Sequence, residues 1–155
     1  MYQLDMALPY SGLRIQASDD AITHIDFIHA DAVQKKSSPT ALLKECCHQL
    51  RAYVKQANFK FDLPLAMQGT DFQQAVWRQL QAIPWGETLT YGDVAEQLNS
   101  SPRAVGNACR RTPVPLIVPC HRVVAKTGIG GFAGDTEGGF LPIKVQLLRH
   151  EGLEF

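Results

Sequence analysis

The chain has 155 residues, which is enough for one ordinary domain or for two small ones. Hydrophobic residues make up 45 % and charged residues 19 % of the sequence, as is usual for soluble globular proteins. No apolar run approaches the roughly 18 residues that a membrane-spanning helix needs, so we expect no such helix and no membrane partner. The formal net charge is zero, which by itself argues against a strong nucleic-acid binder.

The cysteines and the start of the chain suggest the cellular compartment. The thiols are Cys46, Cys47, Cys109 and Cys120, and none of them forms a C-x-x-C pair. This spacing does not suit a disulfide framework or a zinc site, so we expect reduced thiols and no metal. Residues 1–12 lack the basic and apolar regions of a secretory signal. We therefore expect a cytoplasmic protein.

The first part of the chain is predicted to be a small α+β domain over residues 1–67. Residues 13–17 alternate as a short strand, and residues 21–29 can form its hairpin partner, with Asp19 and Asp20 in the turn.

A helix is predicted to follow this hairpin. Ser38 and Pro39 form the pattern of an N-cap followed by a first-turn proline. Apolar side chains then recur at helical spacing and predict a buried stripe at Leu43, Cys47, Leu50 and Val54. Residues 58–69 contain a proline and a glycine, and we interpret them as a linker.

The second predicted domain covers residues 68–155 and is mainly helical. Thr70 and Gln73 form a capping box, and residues 84–86 end the helix that it starts. Thr90 and Asp93 start the next helix. Pro102 opens another, which runs to about residue 111. Two short helices joined by a tight turn predict a helix-turn-helix, or winged-helix-like, domain, which makes the whole chain α+β.

Basic residues are concentrated in this second part. No acidic residue occurs between Glu96 and Asp135, and the same stretch contains several cations, at Arg103, Arg110, Arg111, Arg122 and Lys126. A local basic zone can hold phosphates although the whole chain is neutral. The alternative is a solvated basic face without a ligand.

Cys120 is the first candidate for chemistry, because it lies in the basic zone and directly precedes a histidine. Positive charge nearby favours the thiolate, which is the reactive form. An inert buried thiol is the alternative. In an extended strand His121 would point to the opposite face, so it could reach Cys120 only through a water molecule or after a turn. Glu151 is a candidate to orient the imidazole.

The segment Pro119-Cys120-His121-Arg122-Val123 resembles the active-site motif of the O6-alkylguanine-DNA alkyltransferases, also called methylated-DNA–protein-cysteine methyltransferases. Further motifs of that family occur in the same order at residues 83–92, 103–106, 113–115 and 150–152. The resemblance is strong from about residue 70 to residue 152 and weak but compatible before it. It implies an α+β first domain and a second domain that binds DNA.

The resemblance also implies roles for individual residues. Cys120 would accept the alkyl group, His121 would help to deprotonate it through a water, Glu151 would hold the imidazole, and Tyr91 would help to protonate N3 of the leaving guanine. Arg103 would enter the base stack from a helix in the minor groove. The resemblance implies DNA contacts for Thr90, Arg103, Ala104, Gly106 and Arg110. It implies an alkyl pocket bordered by Gly131, Phe132, Ala133 and Gly134.

The expected partner is double-stranded DNA that contains O6-alkylguanine, and alkylated thymine is a possible second lesion. The target base would have to leave the duplex, as in other enzymes that act on a base. A stable thioether would form, so each molecule would act once, as a monomer and without a cofactor.

Two departures from the family pattern stand out. Thr112 replaces the usual Asn, for which we expect altered stiffness, and residues 135–141 add length that could change the accepted alkyl size.

Three other functions remain open. A non-catalytic relative would bind alkylated DNA and recruit repair factors, but such relatives usually have tryptophan at the position of Cys120. A helix-turn-helix regulator or thiol-sensing module would not need this cysteine for binding. A cysteine hydrolase would turn over repeatedly and require an oxyanion hole, for which the sequence offers no feature.

Overall fold

The computed structural model describes residues 1–34, 39–131 and 141–155. The chain divides into two compact units, Met1–Met67 and Gln68–Phe155, called here the N-terminal unit and the C-terminal unit. The first combines a sheet with a helix, and the second is mainly helical. The predicted α+β class is therefore confirmed. No helix in the described part of the chain is both long and apolar enough to span a membrane.

The N-terminal unit contains an antiparallel three-stranded sheet of β1 (Tyr2–Ala7), β2 (Gly12–Ala17) and β3 (Ile22–Ile28), in that order. Successive side chains of β2 and β3 point to opposite faces of the sheet, and the face that carries most of their apolar side chains is buried. The predicted hairpin is confirmed, whereas β1 was not predicted. Asp5 and Arg14 are direct partners across β1 and β2, and their side chains form an ion pair at 2.9 Å.

One long helix, α1 (Ala41–Lys55), completes this unit after a short 3-10 turn at Ala30–Ala32. Its N-cap is Thr40, whose hydroxyl accepts a hydrogen bond from Leu43 N, so the prediction of Ser38 as the cap was wrong. Ser38 itself lies outside the described residues. The helix buries Cys46 and Cys47, and Tyr53 rather than the half-buried Val54 ends its inner face.

The C-terminal unit contains four helices in its described part, which are α2 (Asp71–Gln81), α3 (Tyr91–Gln97), α4 (Pro102–Arg110) and α5 (Leu141–His150). The two predicted capping boxes are present, at Thr70 with Gln73 and at Thr90 with Asp93. Pro102 occupies the first turn of α4, as predicted. Local sequence therefore determines where these three helices begin.

Helices α3 and α4 form the predicted helix-turn-helix pair, with Asn99 in the left-handed region at φ 50° in the turn. Helix α2 packs on α4, and the Trp77 indole N–H donates to Ala108 O at 3.0 Å inside the core. This hydrogen bond satisfies a buried indole that would otherwise lose its water partner. The buried face of α4 is thereby fixed to α2, while its other face stays exposed.

A two-stranded parallel sheet connects distant parts of this unit. Strand β4 (Leu89–Thr90) pairs with β5 (Val123–Val124), so Thr90 lies opposite Val124. A 3-10 turn at Cys120–Arg122 leads directly into β5. The start of α3, with Tyr91, is therefore held beside the segment that contains Cys120.

Candidate active site

Cys120 is the first residue of the 3-10 turn, and its side chain is almost covered, with 7 % of the residue exposed. The turn is closed by a hydrogen bond from Arg122 N to Pro119 O at 3.0 Å. The segment is therefore not the extended strand that one of our alternatives assumed. A turn gives three consecutive side chains three different directions, which lets Cys120, His121 and Arg122 contact different partners.

His121 and Glu151 meet although 30 positions separate them in the sequence. His121 Nε2 lies 2.7 Å from Glu151 Oε2, and both side chains are fully buried. Glu151 directly follows α5, where Gly152 adopts φ +88° and lets the chain turn away. The carboxylate that we expected to orient the imidazole therefore lies within hydrogen-bonding distance of it.

This contact determines which nitrogen of His121 carries the proton. A carboxylate accepts hydrogen bonds, so Nε2 donates and Nδ1 is left with a free lone pair in the neutral ring. Nδ1 is buried and has no hydrogen-bond partner among the described residues. Burial lowers the pKa of His121, against the opposite effect of Glu151, so the ring is neutral near neutral pH. A neutral imidazole with an unused acceptor is suited to take up a proton.

Arg122 is a part of the site that sequence reasoning missed. Its Nε and Nη2 donate to the two oxygens of Glu151 at 2.8 and 3.1 Å, and its Nη1 donates to Ile83 O at 2.6 Å. Gly86 N also donates to Glu151 Oε1, at 3.3 Å. The carboxylate is thus held by the guanidinium, a backbone amide and the imidazole. The position of Arg122, directly after the histidine of the motif, was the available signal.

Lys144 was also missed. It is fully buried in α5, and its Nζ donates to Val123 O at 2.7 Å and to Gly131 O at 2.9 Å. Burial lowers its pKa to about 8. The signal was its helical spacing, because Lys144 precedes the buried Leu147 and Leu148 by three and four residues and so lies on the same face.

Tyr91 faces the same region from the start of α3. Its hydroxyl donates to Gly131 O at 3.5 Å, and Lys144 Nζ lies 5.8 Å from the centre of its ring. Burial raises the pKa of Tyr91 to about 12, so the phenol stays protonated. A Cβ at Gly130, where φ is +77°, would lie 2.9 Å from the tyrosine hydroxyl, so the absence of a side chain there makes room for the ring.

The thiol of Cys120 is surrounded by groups that act on it in opposite directions. Burial raises its pKa to about 11, while the charge of Lys144 and a hydrogen bond with Thr112 lower it. The Thr112 hydroxyl also donates to Cys109 O at 2.7 Å. A thiol with a raised pKa is mostly protonated at neutral pH, so its use as a nucleophile requires a base.

The residues implied in DNA contact lie on or near α3 and α4. Arg103 and Arg110 are exposed, whereas Ala104 and Gly106 are half-buried. The Thr90 hydroxyl is occupied as an N-cap and accepts from Asp93 N at 3.0 Å. Of the residues implied around the alkyl pocket, Gly131 is described and accepts hydrogen bonds, whereas Phe132, Ala133 and Gly134 lie outside the described residues.

Within residues 1–34, 39–131 and 141–155, no three His, Cys, Asp or Glu side chains lie close enough together to hold a metal ion.

Known proteins match almost the whole chain. Residues 5–67 match the ribonuclease-like domain of 6-O-methylguanine DNA methyltransferase, and residues 71–153 match its DNA binding domain. A methylated-DNA–protein-cysteine methyltransferase of Methanosarcina acetivorans is 34 % identical over 98 % of this chain and 99 % of its own length. One of Metallosphaera sedula is 32 % identical over 93 % of this chain and 88 % of its own length.

Solved structures agree with this result. The Mycobacterium tuberculosis OGT in complex with DNA superposes with a TM-score of 0.80 at 31 % identity, covering 98 % of this chain and 93 % of the other. An O6-methylguanine DNA methyltransferase from Methanococcus jannaschii gives a TM-score of 0.70 at 28 % identity, over 98 % and 95 % of the two chains. Both domains are thus matched in order by full-length relatives, and the chain belongs to the 6-O-methylguanine DNA methyltransferase family.

Proposed function

We propose that this protein repairs O6-alkylguanine in double-stranded DNA by transferring the alkyl group to the sulfur of Cys120. The observation that carries the proposal is the buried His121–Glu151 pair that directly follows this cysteine, at a separation of 2.7 Å. Curated relatives with matching length are named methylated-DNA–protein-cysteine methyltransferases, which supports the same reaction. O4-alkylthymine is a second candidate lesion.

The proposed chemistry is a displacement at a saturated carbon. His121 Nδ1 takes the proton of the Cys120 thiol through one water molecule, and Glu151 stabilises the imidazolium that forms. The thiolate attacks the alkyl carbon, so an S–C bond forms while the C–O6 bond breaks. The electron pair of the broken bond stays with the guanine.

Tyr91 is suited to balance the charge on the leaving base. Its hydroxyl carries a proton at neutral pH, because burial raises its pKa to about 12, and it can deliver this proton toward N3 of the guanine. The proton that His121 took from Cys120 then replaces the one that Tyr91 gave up, so the overall step is balanced. The product on the protein is a thioether, which water does not cleave under ordinary conditions. Each molecule therefore acts once, and the displacement itself requires no cofactor.

Access to the lesion requires the base to leave the helix, at a cost of a few kcal/mol. Arg103, which is exposed at the start of α4, would enter the stack and offset part of that cost. The small residues Ala104 and Gly106 let the helix backbone approach the minor groove closely. Arg110 at the end of α4 adds a cation for a phosphate. The Mycobacterium tuberculosis OGT, a solved relative, was obtained in complex with DNA, which supports the proposal that this chain binds DNA. We further propose that the protein acts as a monomer in the cytoplasm.

The test is the intact mass of the protein after incubation with a duplex that contains one O6-methylguanine, followed by peptide mapping. We expect a gain of one methylene per chain, located on Cys120 and stopping at one equivalent. Cys120→Ser should show no gain but still bind the duplex. Cys109→Ala, which removes another buried thiol of the same unit, is the matched control and should still be methylated.

Two outcomes would overturn the proposal. Lesion binding without any mass change in the parent protein would indicate a recruiter of other repair factors. Methyl transfer that persists in Cys120→Ser would mean that another group accepts the alkyl.

A further inference from the structure

The carboxylate of Glu151 serves two basic partners at once. His121 Nε2 approaches Oε2 at 2.7 Å, and the Arg122 guanidinium approaches both oxygens at 2.8 and 3.1 Å. Glu151 and His121 have no exposed side-chain surface, while 13 % of the Arg122 side chain is exposed. Water therefore screens these charges weakly, and each affects the protonation of the others.

We propose that Arg122 is a positioning residue whose charge and guanidinium fork keep the buried His121–Glu151 pair from binding an extra proton, so that His121 Nδ1 remains free to accept one. This inference rests on the proposed function, in which His121 acts as the base. It adds the reason why a histidine next to a buried carboxylate is not already protonated.

The effect of Arg122 on the pair is electrostatic. A histidine beside an isolated buried carboxylate gains a proton readily, because the ion pair is favourable in a low dielectric. A protonated His121 has a hydrogen on both ring nitrogens and cannot act as a base. Arg122 opposes this state, because its positive charge already compensates the carboxylate and would repel an imidazolium next to it.

The other charged group that acts on His121 is Lys144 in α5, which also disfavours protonation of the ring. Burial is the largest cause of the lowered pKa of His121, and Glu151 acts in the opposite direction. Arg122 differs from Lys144 in that it touches the carboxylate directly, with two parallel donors, whereas Lys144 donates to the backbone carbonyls of Val123 and Gly131. Removing Arg122 should therefore change the protonation of the His121–Glu151 pair more than removing Lys144 does.

Arg122 also fixes where the carboxylate lies. Its third donor, Nη1, holds Ile83 O at 2.6 Å, just beyond the end of α2, and Gly86 N from the same loop donates to Glu151. The guanidinium thus connects the loop after α2 to the residue after α5. A lysine could keep the charge but not this planar set of contacts.

The experiment compares the parent with Arg122→Gln and Arg122→Lys. The rate of methyl transfer is measured against pH, and the His121 ring is titrated by NMR in the absence of DNA. For Arg122→Gln we expect the pair to take up its proton at higher pH, by about half a unit or more, which lowers the rate on the acid side about threefold. Arg122→Lys should keep the parent pH profile while lowering the rate at all pH values.

Arg78→Gln is the matched control, because it removes an exposed arginine from α2 in the same unit and should leave both titrations unchanged. If Arg122→Gln does not fold, the same effect can be measured in Glu151→Gln and in the double variant Glu151→Gln/Arg122→Gln, where no buried carboxylate is left unpaired. His121 should then titrate at higher pH in the double variant than in Glu151→Gln.

The outcomes separate this inference from the proposed function. Unchanged His121 titration in Arg122→Gln, or in the double variant relative to Glu151→Gln, would overturn the inference even if methyl transfer to Cys120 is confirmed. Absence of methyl transfer in the parent would refute the proposed function, while the NMR titration would still show whether Arg122 controls the protonation of the pair.

Discussion

Replacing Lys144 with methionine removes an amine that is fully buried in the C-terminal unit and keeps a side chain of similar length. The amine donates to Val123 O and Gly131 O, and burial lowers its pKa from 10.5 to about 8. Both carbonyls lose the lysine as a donor in the variant at every pH, and Gly131 O keeps only the longer hydrogen bond from the Tyr91 hydroxyl, so this cost is a constant offset of at most about 1–3 kcal/mol per group.

The test depends on how the free energy of unfolding changes with pH. A lysine with a lower pKa in the folded than in the unfolded chain destabilises the fold below the folded pKa, and this penalty disappears as the pH rises through the unfolded pKa. The drop from 10.5 to about 8 corresponds to roughly 3 kcal/mol, at about 1.4 kcal/mol per unit. Most of this stability should return to the parent between pH 8 and pH 10.5, and none of it to the Lys144→Met variant.

The assay is urea unfolding of both proteins at about pH 7 and at about pH 10, with the free energy of unfolding extrapolated to water. The ionisation of cysteines and tyrosines affects both proteins, so it largely cancels when the difference between them is compared at the two pH values. We expect the parent to gain about 2–3 kcal/mol relative to the variant on going to the higher pH. If the difference in unfolding free energy between the parent and the variant is the same at both pH values, the buried lysine does not titrate as described.

Three further predictions concern DNA, the site and the core. Arg103→Ala should slow repair of a duplex at least about tenfold more than reaction with a free O6-alkylguanine base, and equal loss in both would mean that Arg103 supports the fold. Thr112→Asn should change the transfer rate less than about tenfold, since the Thr112 hydroxyl already bonds Cys109 O; a larger change measured in single-turnover reactions would contradict this. Trp77→Phe should cost about 1–3 kcal/mol in urea unfolding, because it removes the indole that donates to Ala108 O and puts a smaller ring into the core, whereas Trp85→Phe, at a site 47 % exposed, should cost less than about 0.5 kcal/mol.

Local signals in the sequence predicted much of the C-terminal unit. The helix starts at Thr70 and Thr90 are set by side chains three residues apart, so the pattern can be read without tertiary structure. Strand β1 was missed although Tyr2, Leu4 and Met6 alternate with polar residues, because this short segment alone does not show its partner strand, whose paired residues lie 5 to 15 positions further along the chain. The cap at Thr40 was misplaced because Ser38 and Pro39 offered an equally plausible start.

The candidate site could be predicted from the sequence for residues that belong to the family motifs. It could not be predicted for residues whose role depends on being buried in the fold. The separation of 30 positions between His121 and Glu151 was expected from the family resemblance, and the structure brings the two together. Arg122 and Lys144 look like ordinary surface cations in a sequence. Their roles depend on the carboxylate and the carbonyls that surround them in the fold, which no local pattern reveals.

Gly130 has a consequence for attempts to alter the proposed alkyl pocket by directed evolution. Its φ of +77° and the 2.9 Å between a Cβ there and the hydroxyl of Tyr91 mean that any other residue would strain the backbone and displace the phenol. A library that randomises this position would consist mostly of damaged variants. Variants intended to accept new alkyl groups are better made at neighbouring positions that have side chains. Gly130 should be kept, because it leaves the space that the ring of Tyr91 occupies.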